Sequence, residues 1–462
     1  MPLTSYLSRE RELLAAGGVG GAATNADARR AVVPHWAGGI GGDALLYAVS
    51  ALLAAGLAAV TIYHGHRVWG AVSAAAYTAG ALASLAGLWP GRYRRRGGGH
   101  QRRMTIASAV FAASALVPLG MLVAQRAHGV AWSAQPEVDV VERMGRLLVQ
   151  TGTPYTAVDT LARFQDYTPY LPAMAVFGLP RAELGDAWYT DVRLMFLTVS
   201  ALLVALAVRL VRPPRLPVRA VHLVAVLPAT TLTVATGGDD LPVLALLVLC
   251  IACCHLGRAG AGGVAGGLAL AMKLTAAPVL LVLAIALHSA TKTNANKTDA
   301  TKTDANRTER GGRRAAVFAG SALAVAAALV LPAALVSPAA LVEHVIRFPA
   351  GLTGVESPAA SPLPGYLLAH SGAAGRAAGL ALLAVAAIAI LVWVLRWPPR
   401  SAAQAAERAA VGLVVAMLLM PATRFGYLIY PLVLAGTAIA LRPTSSSYAW
   451  LRPGRAASHR IR

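Results

Sequence analysis

The chain has 462 residues, of which 57% are hydrophobic and only 13% are charged, and its mean hydropathy is +0.59. Soluble domains usually carry about twice that charged fraction, so the composition argues against a soluble globular protein. The formal net charge of +21 would suit nucleic-acid binding, but the basic residues cluster in short loops between apolar runs, which indicates a membrane-topology signal instead.

Apolar runs long enough to cross about 30 Å of hydrocarbon recur along the whole chain. They predict membrane helices at 44–63, 68–89, 104–124, 192–211, 219–236, 241–256, 315–336, 375–395, 409–423 and 426–441. One further run, 261–288, is too long for one straight span and too short for two. We interpret it as a re-entrant pair of half-helices that break near Lys273–Pro278. The predicted fold class is an all-α polytopic membrane protein with about 12 membrane segments.

The basic loops set the predicted orientation, because Lys and Arg near span ends mark the cytoplasmic side. The loops 91–103 and 209–219 carry six and four arginines, and both fit the inside. The long loop 125–191 then lies outside. Residues 292–314 contain seven basic and three acidic residues and also fit the inside, which is the reason for treating 261–288 as re-entrant.

This orientation divides the chain into four parts. They are a disordered cytoplasmic tail (1–43), an extra N-terminal two-helix hairpin with a basic loop (44–103), the main membrane domain (104–441) and a basic cytoplasmic tail (442–462). Within the main domain, the repetitive Lys/Thr/Asn segment 289–314 is predicted to be a cytoplasmic linker.

Acidic residues concentrate on the predicted outer face, although acids contribute little to membrane topology. Twelve of the 20 Asp and Glu residues lie in the outer loops and in the short turn "GGDD". In the outer loop 125–191, Asp139 could act as a general base beside the membrane. Glu137 and Glu142 are alternatives for that role, and an ordinary solvated aspartate is the other interpretation.

Aromatic and cationic residues accompany these acids at the predicted outer ends of several spans. Tyr155, Tyr167 and Tyr170 either anchor the chain at the interface or bind a sugar through their rings and hydroxyls. Arg193 and the pair Asp239 and Asp240 stand at span ends, where ionisable groups can snorkel to water. Such an arginine can instead grip a phosphate through a bidentate contact.

Lys273 interrupts the apolar run 261–288, and a buried lysine there calls for a partner or a function. Four further residues, His344, Arg347, Arg424 and Tyr427, come from segments distant in sequence and fall on the same predicted face. Together they would suit a phosphate-bearing lipid. Neither the "HGH" at 64–66 nor the "CIACC" at 250–254 has further metal ligands nearby in sequence, so no metal site is predicted.

Six patterns occur in a fixed order along the chain. They are an acidic outer loop after an early span, "GTPY" with "YTPYLP", "TDVR", "TGGDDLPVLALL", "GGLALAMKLTAAPVLL" and "ATRFGYLIYP". In this order they resemble glycosyltransferase family 87, whose members include actinobacterial membrane mannosyltransferases of the C-type fold that use polyprenyl-phosphate-mannose. The resemblance covers residues 104–441, so the two preceding spans look like an addition. The family's aromatic-Pro-Pro element reads "YTPYLP" here, with its prolines separated.

The resemblance implies a function and assigns roles to particular residues. Asp139 in "VDVVERMG" matches the family's catalytic base, which would activate an acceptor hydroxyl for inverting transfer of a sugar, most simply mannose, from polyprenyl phosphate. Arg193, Lys273, Arg347 and Arg424 are candidates for holding the phosphate. The implied acceptor is a cell-envelope glycan or lipid at the outer face of the plasma membrane. No cofactor, metal or nucleic acid is expected.

Two other classes of function are compatible with parts of the sequence. A transporter or lipid flippase would also use broken half-helices for its substrate, but these proteins often contain an internal repeat, and none is found here. A structural scaffold of the cell envelope would retain the fold without the chemistry. Such a scaffold would tolerate Asp139→Asn without loss of function, whereas an enzyme would not.

Overall fold

The computed structural model describes three stretches of the chain, residues 39–87, 98–289 and 300–442. The predicted tails 1–43 and 442–462 lie almost entirely outside the described residues, as does part of the predicted linker 289–314. Within the described stretches every regular element is a helix, and an isolated β-bridge joins Ala360 to Thr423. This confirms the predicted all-α class.

The helices follow one another with short connections. In chain order they are α1 (Ile40–Val60), α2 (His64–Leu85), α3 (Gly99–Ala127), α4 (Pro136–Thr151), α5 (Leu179–Leu184), α6 (Val192–Val211), α7 (Val218–Thr236), α8 (Asp240–His255), α9 (Ala259–Met272), α10 (Ala277–Ser289), α11 (Ala300–Val336), α12 (Pro338–Val342), α13 (Pro364–Ala369), α14 (Ala373–Arg396), α15 (Ala402–Leu419) and α16 (Ile429–Leu441). Short 3₁₀ turns occupy Val158–Thr160, Phe164–Asp166, Pro172–Gly178, Trp188–Thr190, Leu274–Ala276 and Phe425–Leu428.

Eight helices of the described residues are long and apolar enough to cross a membrane, namely α1, α2, α3, α6, α7, α11, α14 and α15. Four shorter apolar helices, α8, α9, α10 and α16, accompany them. The chain is therefore a polytopic helical membrane protein by length and composition. The total of about 12 membrane segments stays a prediction, because the four short helices do not reach the length of a full span.

Helix α9 ends at Met272 and a single 3₁₀ turn leads into α10, so the apolar run breaks where the sequence predicts. The chain also changes direction there. Gly263 packs on Phe318 and Gly267 packs on Ala322, so α9 runs parallel to α11. Because α10 connects the two, it runs back along the bundle. The two halves are 14 and 13 residues long, or about 20 Å each. Their entry into a membrane from one side stays a prediction.

Two of the long helices each contain a π-helical turn. Helix α3 contains a π turn at Ala112–Leu116, and α7 contains one at His222–Val226, just before Pro228. Such turns release backbone groups that need new partners in an apolar setting. The Val226 carbonyl accepts a hydrogen bond of 2.5 Å from the Tyr77 hydroxyl, which α2 supplies. The N-terminal hairpin α1–α2 is thereby built into the main bundle.

The predicted outer loop 125–191 folds as an ordered layer of α4, α5 and short 3₁₀ turns. Helix α4 packs backbone to backbone on the turn that ends at Gly178. A Cβ at Gly145 would lie 2.3 Å from the Gly178 carbonyl carbon, so only glycine permits this approach. The contact fixes α4, which carries Glu137, Asp139 and Glu142, against the core of the bundle.

Candidate active site at one end of the bundle

Segments distant in sequence meet through ion pairs at one end of the bundle. Helix α4 meets the end of α3 through Arg126 and Glu142, and meets the start of α16 through Glu137 and Arg424. The turn between α7 and α8 meets the break after α9 through its own ion pairs. The outer ends predicted from charge therefore do lie together.

Asp139 is the most accessible of the three carboxylates on α4, with 66% of its side chain exposed. It lies in the first turn of α4, where the helix dipole favours a negative charge. Its Oδ1 accepts a hydrogen bond of 2.8 Å from Arg126, and among the described residues Oδ2 has no hydrogen-bond donor. Desolvation by the neighbouring protein raises the pKa of Asp139 above its ordinary value, and the positive charge of Arg126 partly opposes this rise. Asp139 thus keeps one oriented oxygen and one open to solvent.

Glu142 has the opposite environment, although it lies less than one helical turn away. Its side chain is 3% exposed, and both oxygens accept hydrogen bonds from Arg126 at 2.7 and 2.8 Å. Arg181 approaches the same carboxylate at 3.1 Å. Glu142 is therefore a buried anchor for Arg126, which in turn orients Asp139.

Arg193 is enclosed by protein and satisfied there. Its guanidinium forms a bidentate pair with Asp191 at 2.8 and 2.7 Å and donates to the Ser133 carbonyl at 2.7 Å. Burial alone would raise the pKa of Asp191, but Arg193 and Arg126 hold it below its usual range. Gly237, with φ +95°, lies directly against the Arg193 side chain, which accounts for the first glycine of "GGDD".

Lys273 lies at the helix break among the predicted aromatic and acidic residues. Its ammonium donates to Asp239 at 2.9 Å and to Asp240 at 2.5 Å. The rings of Tyr170 and Tyr427 lie 5.3 and 5.5 Å from the same nitrogen, within range of cation–π attraction. The structure gives this buried lysine two protein partners, the aspartates of "GGDD", and its predicted role toward a lipid phosphate stays a prediction.

Tyr430 completes this cluster, and sequence reasoning missed it. Its hydroxyl donates to Asp240 at 2.6 Å and accepts a bond of 2.9 Å from Thr275. Tyr430 follows Tyr427 by three residues in the helical segment Phe425–Leu441, so both lie on one face of that segment. That spacing within "RFGYLIYP" was the signal that could have found it.

Glu137 and Arg424 form an ion pair at the edge of the cluster that surrounds Lys273, hereafter the lysine cluster. His66, from the start of α2, lies within electrostatic range of both. Its neighbour Gly65 packs on Thr236, at the end of α7. The N-terminal hairpin therefore reaches the candidate site, which its position as an addition to the chain did not predict.

Tyr155, Tyr167 and His344 form a closed aromatic clamp rather than an open surface. His344 is 0% exposed, accepts a hydrogen bond from the Thr168 amide through Nδ1 and donates to the Thr156 carbonyl through Nε2, both at 2.9 Å. Its ring stacks on Tyr155 and meets the edge of Tyr167. Burial lowers the pKa of His344, which favours the neutral ring that these bonds require.

Two arginines near the clamp differ in their partners. Arg347 is half exposed and pairs with Glu343 at 2.9 Å, one turn earlier on the same segment. Arg143, one turn after Asp139 on α4, has no carboxylate within salt-bridge distance among the described residues. It makes only long contacts, at 3.2 to 3.4 Å, to the backbone and hydroxyl oxygens of 166–168, and its buried Nε has no partner.

The family model of glycosyltransferase family 87 matches residues 167–421, which is more than half of the chain. The chain belongs to glycosyltransferase family 87. It is therefore a membrane glycosyltransferase, as the ordered motifs predict. No curated protein and no solved structure gives a match.

The family 87 match includes Lys273 with its two aspartates, Arg193 and the clamp residue His344. It begins after Asp139 and ends before Arg424, Tyr427 and Tyr430. The glycosyltransferase thus carries part of its candidate site on segments that flank the matched region. On the preceding flank, Arg126 pairs with Asp191 and Glu142 pairs with Arg181 of the matched core. On the following flank, the Tyr430 hydroxyl donates to Asp240 of the core.

Sequence reasoning missed Arg126, Asp191 and Arg143 in this glycosyltransferase. Arg126 had a detectable signal, since an arginine at the predicted outer end of a span departs from the usual placement of basic residues. Asp191 had a weaker one, as the residue before Arg193. Nothing in the sequence separates Arg143 from the solvated arginine at position 146.

Proposed function

We propose that the protein transfers a sugar, mannose in the first instance, from a polyprenyl-phosphate donor to a glycan or lipid acceptor of the cell envelope. The observation that carries this proposal is the accessible, oriented carboxylate of Asp139 beside a cluster of cationic and aromatic residues. A transporter seldom needs a long carboxylate-rich loop on one side, and the family assignment favours transfer.

In the proposed reaction, the open Oδ2 of Asp139 takes the proton of an acceptor hydroxyl. The acceptor oxygen then forms its bond to the anomeric carbon while the bond from that carbon to the phosphate oxygen breaks. The configuration at the anomeric carbon inverts, and polyprenyl phosphate leaves with the electron pair of the broken bond. Arg126 keeps Asp139 in position through one oxygen and leaves the other free.

The leaving phosphate needs positive charge rather than a proton donor. Arg143 is the candidate best suited to this role, because it lies one turn from Asp139 and no described carboxylate lies within salt-bridge distance of it. Arg347 and Arg424 are further candidates that would exchange a carboxylate partner for phosphate. Lys273, Asp239, Asp240, Tyr170 and Tyr427 would form the floor of the site.

Four predicted substrate ligands are better suited to positioning roles. Arg193 directs its donors to Asp191 and backbone oxygens, so we propose that it fixes Asp191 beside Arg126. His344, with Tyr155 and Tyr167, would hold the outer layer in its fold. The plasma membrane is the proposed location, with the site on its outer face.

The test is sugar transfer by the purified protein in lipid, supplied with membrane extract from its own host and a panel of labelled polyprenyl-phosphate sugars. We expect label from the mannose donor to appear on an acceptor that can then be identified. Failure with every polyprenyl-phosphate sugar, together with sugar-lipid flux across sealed vesicles, would establish the transporter instead.

A further inference from the structure

A second cluster of arginines surrounds a cavity at the opposite end of the bundle from the candidate active site. The cavity measures about 350 Å³ and is lined by Leu206, Arg209, Leu210, Arg212 and Arg258. Helix α6 connects the two ends, since it begins beside Asp191 and ends at this cavity. Its 20 residues span about 30 Å, so the cavity is separate from the site of sugar transfer.

The three arginines of this cavity are exposed, and none forms an ion pair or side-chain hydrogen bond with a residue that the structure describes. Arg209 lies in the last turn of α6, and Arg212, with φ +48°, closes that helix. Arg258 comes from the turn between α8 and α9. Three cations that line one cavity without a carboxylate partner create a positive potential there, which attracts an anion.

The charge rule for membrane loops accounts for basic residues at this end, but it does not account for their arrangement around one cavity. Arg215 shows the difference. It lies in the same basic loop and is exposed, yet it does not line the cavity. A topology signal alone requires only the charge, which Arg215 supplies equally well.

An apolar strip on α6 leads directly to these arginines. Leu202, Leu206 and Arg209 follow one another at spacings of four and three residues, so they share one face of the helix. Leu202 is 64% exposed and Leu206 is 43% exposed, on a helix that the rest of the protein scarcely covers. The strip offers an acyl chain a surface that ends in cationic groups.

We propose that this cavity, hereafter the three-arginine site, binds the phosphate of an anionic glycerophospholipid. Arg209, Arg212 and Arg258 hold the headgroup by charge-assisted hydrogen bonds, and one acyl chain lies along Leu202 and Leu206. The lipid links the end of α6 to the turn between α8 and α9. The proposal rests on the geometry of this end alone and does not depend on the sugar-transfer reaction.

The test measures lipid retention by the full-length protein, using native mass spectrometry from detergent with added phosphatidylglycerol or phosphatidylcholine. The variant Arg209→Gln/Arg212→Gln/Arg258→Gln is compared with the wild type and with Arg215→Gln, which removes charge from the same loop. We expect phosphatidylglycerol to bind more tightly than phosphatidylcholine. Affinity for phosphatidylglycerol should fall about fivefold for each arginine removed from the site, and Arg215→Gln should match the wild type.

Three results would overturn the proposal. They are equal loss of affinity in Arg215→Gln and the triple variant, no preference for the anionic lipid, and displacement of the lipid by inorganic phosphate at equal concentration. The last result would assign the site to a free anion. Should the triple variant fail to fold, Arg258→Gln alone gives the same comparison, with an expected loss of about fivefold.

Discussion

At the scale of single residues, three carboxylates on one helix have three different environments. Glu142 is buried and forms ion pairs with Arg126 and Arg181. Glu137 is mostly buried and pairs with Arg424. Asp139 alone is exposed and has a free oxygen. The sequence places all three within six positions and cannot rank them. Burial and pairing favour Asp139 as the proposed base.

The proposed role of Asp139 predicts a pH dependence. A general base must be deprotonated, and desolvation raises the pKa of Asp139 above its ordinary value of 3.8. Below its pKa, kcat/KM should fall about tenfold per pH unit, with the midpoint of this acid limb above pH 3.8. Transfer rates measured from pH 3.5 upward would check this, with circular dichroism as the control for folding. A rate independent of pH across the acid range would contradict the role.

Arg143 provides a second prediction, with a matched control on the same helix. Arg143→Gln should lower the transfer rate by about a hundredfold, because the departing phosphate loses a preorganised cationic donor. Arg146→Gln removes an exposed arginine three residues later and should leave the rate unchanged. Arg143→Lys should recover part of the loss. Equal effects of Arg143→Gln and Arg146→Gln would remove Arg143 from the site.

At the scale of elements, hydropathy predicted the positions of the membrane helices, but it predicted the first and last residues of those helices less accurately. The spans predicted at 44–63 and 409–423 are helices at Ile40–Val60 and Ala402–Leu419. Both helices begin earlier than predicted and include an acidic residue, since Asp43 pairs with Arg103 and Glu407 pairs with Arg442. Local hydropathy cannot register a partner that lies tens of residues away, and this is why the predicted boundaries shifted.

The segment predicted as a linker shows the same limit. Residues 300–314 of the predicted linker 289–314 belong to α11, which their repetitive composition did not indicate. Each residue added to an existing helix forms one further backbone hydrogen bond, so a long apolar helix can extend into the polar residues that precede it. The break at Lys273, in contrast, was predictable, because a lysine followed by "LTAAP" interrupts an otherwise uniform apolar pattern.

Labelling of single cysteines tests the orientation of these elements. Thr160→Cys lies in the exposed part of the outer layer, and Ala300→Cys lies at the start of α11. In intact cells, an impermeant maleimide should label position 160 and not position 300, which should react only after lysis. The native cysteines at 250–254 are buried and provide the background control. Labelling of position 300 in intact cells would contradict the re-entrant interpretation.

At the scale of the whole molecule, the N-terminal hairpin is part of the bundle. Arg103 pairs with Asp43 on α1, and Tyr47 shares a hydrogen bond of 2.9 Å with His222 on α7. His66 extends the hairpin to the candidate site at the other end. The sequence identified the hairpin as an addition to the family pattern but gave no sign of these contacts, which depend on three-dimensional packing.

This integration predicts a stability effect at Tyr77. Tyr77→Phe removes the hydroxyl that satisfies the buried Val226 carbonyl and also contacts Thr231 at 2.8 Å. Leaving that carbonyl unpaired should cost about 1–3 kcal/mol and lower the unfolding temperature in detergent. Thr78→Val, on the exposed side of the same helix, is the control. An unchanged unfolding temperature in Tyr77→Phe would mean that the hydrogen bond between the hairpin and α7 does not stabilise the protein.

The central claim is that Asp139 is the base of a glycosyltransferase, and one comparison tests it most directly. Donor binding and sugar transfer are measured for the wild type, Asp139→Asn and Glu137→Gln in lipid with labelled polyprenyl-phosphate-mannose. We predict that Asp139→Asn binds donor normally, because its side chain is exposed, and loses at least about a hundredfold in transfer. Near-normal transfer by Asp139→Asn would contradict the account, and its loss in Glu137→Gln instead would move the base to Glu137.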